Sequence, residues 1–377
     1  MNFESIDTQY DIKRPNNTIL KSSILKYRSG RPKIKDEQTY TLYLFPATST
    51  IQLWIRTTGC SYSQKGSCSM CDYWIGEHLA APHSVVYDAL APYKGMYQTL
   101  ILNTCGSPLD ENELSLSEQA LIWQTINAMG FSVVIIETHA YSVTPEKLSV
   151  LQKHINAYLV IEMGLESSNS DVLFYCLNKP VSLELIQKKI ELIHDYDFGA
   201  CVNILLGSPF LAIKDRIDDC INSIHDVLNA GTDTCVIFPV NIKEYTLVHH
   251  LYINGLYQPV MGRELVDVLS SFSEYELSKI NIAWIKPHKQ MNSAYANPII
   301  APYFCPKCEQ PFFDLLDKYL ATYDGSKRLS LVKQMDIVTQ CCKSTLQYLL
   351  QNDKTTQEYV SLGYSFLSTD NNQKGKD

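Results

Sequence analysis

The chain has 377 residues, 45% of them hydrophobic and 19% charged, which suits one large α/β domain or two ordinary domains of a water-soluble protein. Its formal charge of −8 argues against a large nucleic-acid footprint made by this chain alone, because a surface that grips phosphates is usually basic. No apolar run approaches a membrane span and no secretory signal is visible, so a cytoplasmic location with reduced thiols is expected. Twelve cysteines in such a compartment are better explained by metal than by disulfides.

Residues 1–38 are polar and weakly patterned, and read as an N-terminal surface arm; the basic stretch Lys21–Lys35 reads as a solvated part of it. Strands are expected over Thr39–Phe45 and Ile51–Arg56. The latter leads into Arg56-Thr-Thr-Gly-Cys60, with Cys68 and Cys71 following after gaps of seven and two residues. From there apolar runs alternate with helical patterns. Strands are expected at Tyr97–Leu102, Phe131–Glu137, Tyr158–Leu165, Ala200–Leu206 and Thr234–Pro239. Helices are expected at Ser117–Met129, from Thr144-Pro145 onward, and at Ser182–Tyr196 and Lys214–Asn229. The strands are rich in Val, Ile and Leu on both faces, as parallel strands covered by helices are. The alternation predicts an α/β fold: a partial parallel (βα)6 TIM-like barrel over residues 39–260.

Beyond residue 260 an α-rich C-terminal extension is expected to residue 367, followed by a disordered tail over 368–377. The extension holds a helix at Glu264–Phe272, one more strand at Ile280–Ile285, Cys305-Pro-Lys-Cys308, and a single long helix Leu329–Gln351 that carries Cys341-Cys342.

Three thiolates on one loop can hold three irons of a cubic cluster and leave the fourth iron open to a ligand. The same Cys68-x2-Cys71 pair is also half of a zinc site, with His78 and His83 nearby, and spacing alone leaves both readings open. In a parallel barrel, ligands sit at the C-terminal ends of the strands. Polar residues recur at those ends: Asn103 with Gly106 and Ser107; Glu137, His139 and Tyr141; Glu166 and Ser168; Gly207; and Asn241. Each has a plainer reading, Asn103 as a helix cap, Gly106 and Gly207 as turns, Glu166 as a structural ion pair and His139 as a packed histidine. Cys105 reads as a small packed residue, and Cys176, Cys201, Cys220 and Cys235 read as core. Cys305 and Cys308 with Cys341 form a second candidate metal site, for zinc or an auxiliary iron–sulfur cluster. With Cys342 the site could have four ligands instead of three, but adjacent helical residues point about 100° apart, so Cys341 and Cys342 are expected to bind one metal together only if the helix is broken there.

With these residues in view, the chain resembles the radical S-adenosylmethionine (SAM) superfamily, in particular the branch with the radical SAM subunit of archaeosine synthase, near the elongator catalytic-subunit type. The resemblance runs over residues 40–310. It rests on the three-cysteine loop with Arg56 before it and Asp72-Tyr73 after it, Asn103…Gly106-Ser107, Gly164-Leu-Glu166-Ser-Ser-Asn169, Leu177-Asn178-Lys179, and Pro239-Val-Asn241…Tyr245-Thr246-Leu247-Val248. Most of the superfamily spaces its cysteines by three and two residues; the long first gap suits this branch. The resemblance implies a [4Fe–4S] cluster on Cys60, Cys68 and Cys71 and reductive cleavage of SAM to a 5′-deoxyadenosyl radical, with flavodoxin or ferredoxin as reductant. It assigns Asn103, Gly106 and Ser107 to the methionine amino end, Glu166 and Ser168 to the ribose and carboxylate, and Gly207 to the adenine side. Glu137, His139 and Tyr141 are then substrate-side candidates. The implied substrate is a modified tRNA base, with a small molecule or natural product as the equal alternative. The paired cysteines also resemble those of the radical aminocarboxypropyl transferase of arsinothricin biosynthesis, although no further cysteine follows soon after Cys342. A reading from another class is a non-catalytic, zinc-stapled binding protein.

Overall fold

The computed structural model describes residues 15–30, 39–64, 66–73, 78–104, 106–283, 285 and 298–373. Cys105, most of the N-terminal arm and residues 374–377 of the expected tail lie outside these residues.

Seven strands of one curled sheet run parallel. They are β2 (Thr50–Ile55), β3 (Thr99–Asn103), β4 (Val133–Thr138), β5 (Tyr158–Glu166), β6 (Gly199–Leu206), β7 (Thr234–Pro239) and, at the far edge, β9 (Ile280–Ile282). The other edge is β1 (Tyr40–Phe45), antiparallel to β2. A separate ribbon pairs β8 (Ile242–Lys243) with β10 (Pro298–Ile300). The expected partial barrel is therefore the observed fold, and the region beyond residue 260 contributes a strand to its edge as well as helices.

The helices, in chain order, are α1 (Asn17–Arg28), α2 (Pro82–Leu90), α3 (Leu116–Met129), α4 (Pro145–His154), α5 (Leu183–His194) and α6 (Ile213–Asn229), then α7 (Leu247–Ile253), α8 (Gly262–Leu269), α9 (Glu274–Leu277), α10 (Glu309–Leu320), α11 (Gly325–Val338), α12 (Gln340–Asn352) and α13 (Thr356–Gln373). Local chemistry sets their bounds. Ser115 and Glu118 form a reciprocal capping box on α3, which stops at Gly130 in a left-handed conformation (φ 81°). Thr144 caps α4 with Pro145 in its first turn. On α5, Ile186, Ile190 and Ile193 recur on one buried face, as do Ile217, Cys220, Ile224 and Val227 on α6.

Along each strand one set of side chains meets the helices and the other faces the inside of the curl. Val134, Ile136, Leu159 and Ile161 are fully buried on the helix side, each contributing about 1.5–3 kcal/mol by leaving water. Glu137, Gly164, Glu166, Asn203 and Leu205 face the interior cavity instead.

Three sequence expectations change. Residues 17–28 form helix α1, not a loose arm: Leu20 and Ile24 are buried, and Lys26 and Tyr27 donate to Asp370 on α13. The chain from Ser368 to Gln373 continues α13 instead of fraying, because Asp370 and Asn371, whose amide donates to Ser22 and Ser23 at 3.1 and 3.0 Å, dock on α1. The single helix expected over Leu329–Gln351 is two helices broken at Thr339. The Thr339 hydroxyl donates to Met335 O at 2.7 Å and accepts from Arg263 at 3.1 Å.

Candidate functional site

The cysteine loop leaves β2 through Gly59, whose φ of 88° turns the chain. A short 3-10 turn, Ser61–Gln64, follows Cys60. The loop is clamped from several elements. Asn178, in a left-handed conformation at the end of the π-helical turn Val172–Leu177, donates to Ser67 O at 2.7 Å and accepts from the Tyr62 hydroxyl at 2.7 Å. Ser69 N donates to Leu177 O at 3.0 Å. Arg28 of α1 donates to Cys71 O at 2.9 Å and to Tyr73 O. Lys243 of β8 donates to Asp72 at 2.9 Å. Residues from three distant parts of the chain thus hold a loop whose own sequence is mostly small and polar.

Cys60, Cys68 and Cys71 open onto one cavity of about 230 Å³ at the C-terminal ends of the strands. Burial pushes all three thiols up, Cys60 to about 12 with the neighbouring Cys71 as the next cause. Left to the protein alone these sulfurs stay protonated; a positively charged metal centre is what makes three buried thiolates stable. The thiols, their common opening and the pinned loop fit a cluster with three protein ligands. Gly106 supports the same loop from β3. A β-carbon there would lie 2.6 Å from Cys60 Cα and 2.5 Å from a Glu113 oxygen, so the turn after β3 rests on the Cys60 backbone only as glycine.

Glu113 carried no signal in the sequence, yet it knits this corner. Its carboxylate accepts from Thr57 at 2.9 Å, from Thr104 at 3.0 Å and from Ser107 N. Burial nevertheless raises its pKa to about 7.

On the inner face, Gln52 donates to Asn103 at 2.9 Å and Asn103 donates to Glu137. Asn103 is thus a support for Glu137, not a helix cap. Glu137 on β4 stands in register with Glu162 on β5. Desolvation, then the neighbouring Glu162 charge, raises Glu137 to about 8. Burial raises Glu162 to about 7 against a hydrogen bond from Asn203. Two adjacent buried carboxyls do not readily carry two charges, so near neutrality the pair holds a proton.

His139 and Tyr141 stand beside Cys60. His139 Nε2 lies 3.7 Å from Cys60 Sγ and its Nδ1 is 2.6 Å from the Tyr141 hydroxyl. Burial, with Lys179 as the next cause, lowers His139 to about 4, so the imidazole is neutral at pH 7. Across the cavity Glu166 follows a bulge in β5 and takes a φ of 77°, a conformation that costs a non-glycine residue about 1–2 kcal/mol. It accepts from Lys179 at 2.6 Å. A β-carbon on Gly164 would meet Lys179 Nζ at 2.6 Å and a Glu166 oxygen at 2.8 Å, so a side chain here would push the pair from its present position. Lys179 was visible only as part of a motif, with no role attached.

The structure brings Cys60, Cys68, Cys71, Gly106, Glu137, His139, Tyr141 and Glu166 to one cavity. Asn103 and Ser107 lie behind its wall, Ser107 bonded to Thr138 and Glu113. Ser168 turns toward α6, where its N–H donates to Ser223 at 2.8 Å. Gly207 (φ 104°) accepts from the Tyr257 hydroxyl at 2.7 Å. Cys305, Cys308 and Cys341 gather apart from the cavity, together with Cys342.

No protein-family model matches the chain. It is similar to archaeosine synthase subunit beta of Methanosarcina acetivorans, 26% identical over 59% of this chain and 66% of that protein. The same-named subunit of Thermococcus kodakarensis is 26% identical over 78% of this chain and 90% of its own length. An uncharacterized protein of Methanocaldococcus jannaschii is 23% identical over 60% of this chain and 65% of that one. The chain thus spans just under two thirds of two of these relatives. Among solved structures, methylornithine synthase superposes with a TM-score of 0.47 at 12% identity, over 76% of this chain and 83% of that chain. An Elp3 of Methanocaldococcus infernus lacking its N-terminus gives 0.44 at 16%, over 55% and 53%. The chain resembles the radical SAM superfamily.

Proposed function

We propose that this chain is a radical SAM enzyme. The observation that carries the reading is the convergence of Cys60, Cys68 and Cys71 on one cavity at the C-terminal mouth of a partial parallel barrel. In this reading the three thiolates would hold a [4Fe–4S] cluster, which when bound would supply one-electron chemistry for the reductive cleavage of SAM. The residues around it bind and orient. Gly106 gives the close backbone approach next to Cys60, with Asn103 and Ser107 shaping that turn from behind. Glu166, held by Lys179, offers a carboxylate at the ribose side, while Ser168 and Gly207 set the backbone at the ends of β5 and β6. His139, neutral and bonded to Tyr141, stands next to Cys60 as a hydrogen-bonding group rather than a charge. The Glu137–Glu162 pair, sharing a proton, offers both donor and acceptor to a substrate at the inner face.

The similarity to proteins named archaeosine synthase subunit beta favours a modified tRNA base as substrate; flavodoxin or ferredoxin as reductant and the cytoplasm as location are part of the same proposal. The acidic net charge keeps a small molecule in play. A metal centre at Cys305, Cys308 and Cys341 completes the cofactor set.

The test is product analysis. Anaerobically purified protein is expected to be brown, with about four irons per chain at the loop, and to release 5′-deoxyadenosine from SAM under strong reductant. Methylthioadenosine in its place would assign an aminocarboxypropyl transferase. A colourless protein that leaves SAM whole would leave the zinc-stapled binding protein standing and end the radical reading.

A further inference from the structure

Away from the cavity four sulfurs meet. Cys305 lies after β10, Cys308 is the residue from which α10 starts, and Cys341 and Cys342 occupy the first turn of α12. Cys305 Sγ is 3.2 Å from Cys341 Sγ and 3.4 Å from Cys308 Sγ, and Cys308 Sγ is 3.4 Å from Cys342 Sγ. All four lie within 4.8 Å of one another. We infer that Cys305, Cys308, Cys341 and Cys342 form a closed tetrathiolate site for one zinc-class divalent ion, structural in role and separate from the three-cysteine loop.

Size decides between the metals. With zinc–sulfur bonds near 2.3 Å, a tetrahedron of four sulfurs has edges of about 3.8 Å, the scale of this cluster. The thiolates of a cubane sit one bond outside a tetrahedron of irons, so they stand farther apart than the sulfurs of a single-ion site. This group would have to open to admit one. Two disulfides would take the sulfurs as isolated pairs at about 2.0 Å, whereas Cys305 and Cys308 each approach two partners. The four ligands are all sulfur and leave no position for water, which is the pattern of a structural zinc site.

The backbone is arranged for the charge that four thiolates bring. Cys308 N and Glu309 N both donate to Cys305 O, at 3.1 and 3.2 Å, closing a tight turn between the first two ligands. The first turns of α10 and α12 both begin at the cluster, and the positive ends of two helices favour thiolate there. The break at Thr339 is what admits both neighbouring cysteines. It starts α12 one residue before Cys341, so Cys341 reaches Cys305 while Cys342 reaches Cys308.

The site also has a structural target. Immediately before it, Phe304 packs on Phe312 with ring centroids 4.4 Å apart and covers Gly262, where a β-carbon would fall 1.8 Å from the ring. Tyr303 bonds both ways to the start of α8, its N–H to Val260 O at 3.0 Å and its carbonyl from Gly262 N at 2.8 Å. Before that lies β10, which pairs with β8, and Lys243 of β8 holds Asp72 beside Cys71. The ion therefore fastens the segment that carries one edge of the main cavity.

Elemental analysis tests this without using activity. In the full chain carrying Cys60→Ser, Cys68→Ser and Cys71→Ser, about one zinc per chain and no iron is expected. Cys341→Ser and Cys342→Ser, each alone, are expected to lose the zinc. If either variant fails to fold, Co²⁺ exchanged into the wild-type chain is expected to give the intense visible and thiolate charge-transfer bands of a tetrahedral all-sulfur site. About four irons kept by the triple variant would overturn the inference in favour of a cubane. A metal-free protein whose four thiols resist alkylation until reduced would overturn it in favour of disulfides. Loss of the radical reading at the loop would leave the zinc result unchanged, so the two fail separately.

Discussion

Glu137 and Glu162 illustrate how a single residue's chemistry depends on what lies across the sheet. Both are acids on adjacent strands in register, and each sits above the usual carboxyl range because burial penalises its charge, to about 8 and about 7. Glu113 joins them at about 7. In the unfolded chain these groups lose their protons near pH 4.5. Between that pH and about 8 the folded protein binds more protons than the unfolded one, so stability falls as pH rises through this window. The contribution is whole below about 4.5 and gone above about 8. Urea unfolding from pH 5 to 8.5 is expected to show a declining midpoint, and Glu137→Gln, which cannot ionise, is expected to flatten the decline. A wild-type midpoint that rises across the window would contradict the assignment of neutral acids.

At the scale of elements, α1 and α13 matter most because neither is stable alone and each hides its purpose in a polar sequence. Together they bury Leu20 and Ile24, stack Tyr27 on His250 at 3.8 Å and set His250 against Phe366. Arg28 at the end of α1 then reaches Cys71 and Tyr73. The pairing of two chain ends thus bears on the cysteine loop. Removing residues 356–377 is expected to speed amide exchange in residues 60–73 and to lower iron retention, with the sheet strands still protected. Unchanged exchange in the loop would separate α13 from it.

For the whole molecule, the junction between barrel and C-terminal helices turns on Arg328. It is fully buried and donates to Leu277 O at 2.8 Å, Ile280 O at 2.7 Å and Asn281 at 2.9 Å, between Tyr319 and Tyr323. It binds α11 to the edge strand β9. Arg328→Met removes these donors from buried acceptors and is expected to cost about 2–5 kcal/mol, read as a lower urea midpoint. A loss below 0.5 kcal/mol, the range of an ordinary surface substitution, would mean the junction is held by its apolar contacts alone.

The sequence by itself determined the strand–helix alternation, because β-rich apolar runs, Ser115, Thr144 and Gly130 act within a few residues of themselves. It also determined the cysteine spacing and which residues stand at the strand ends, since strand order follows from short right-handed crossovers. Only the tertiary structure decided the rest. Glu113 became the centre of a network through Thr57 and Thr104, Ser168 turned away from the cavity, and Lys179 came to face Glu166. Thr339 broke a helix whose local pattern ran straight through it, because Arg263, distant in sequence, bonds its hydroxyl, and that break is what lets Cys342 join Cys341. Information of this kind lies in distances between segments far apart in the chain, and no periodicity or spacing within a segment carries it.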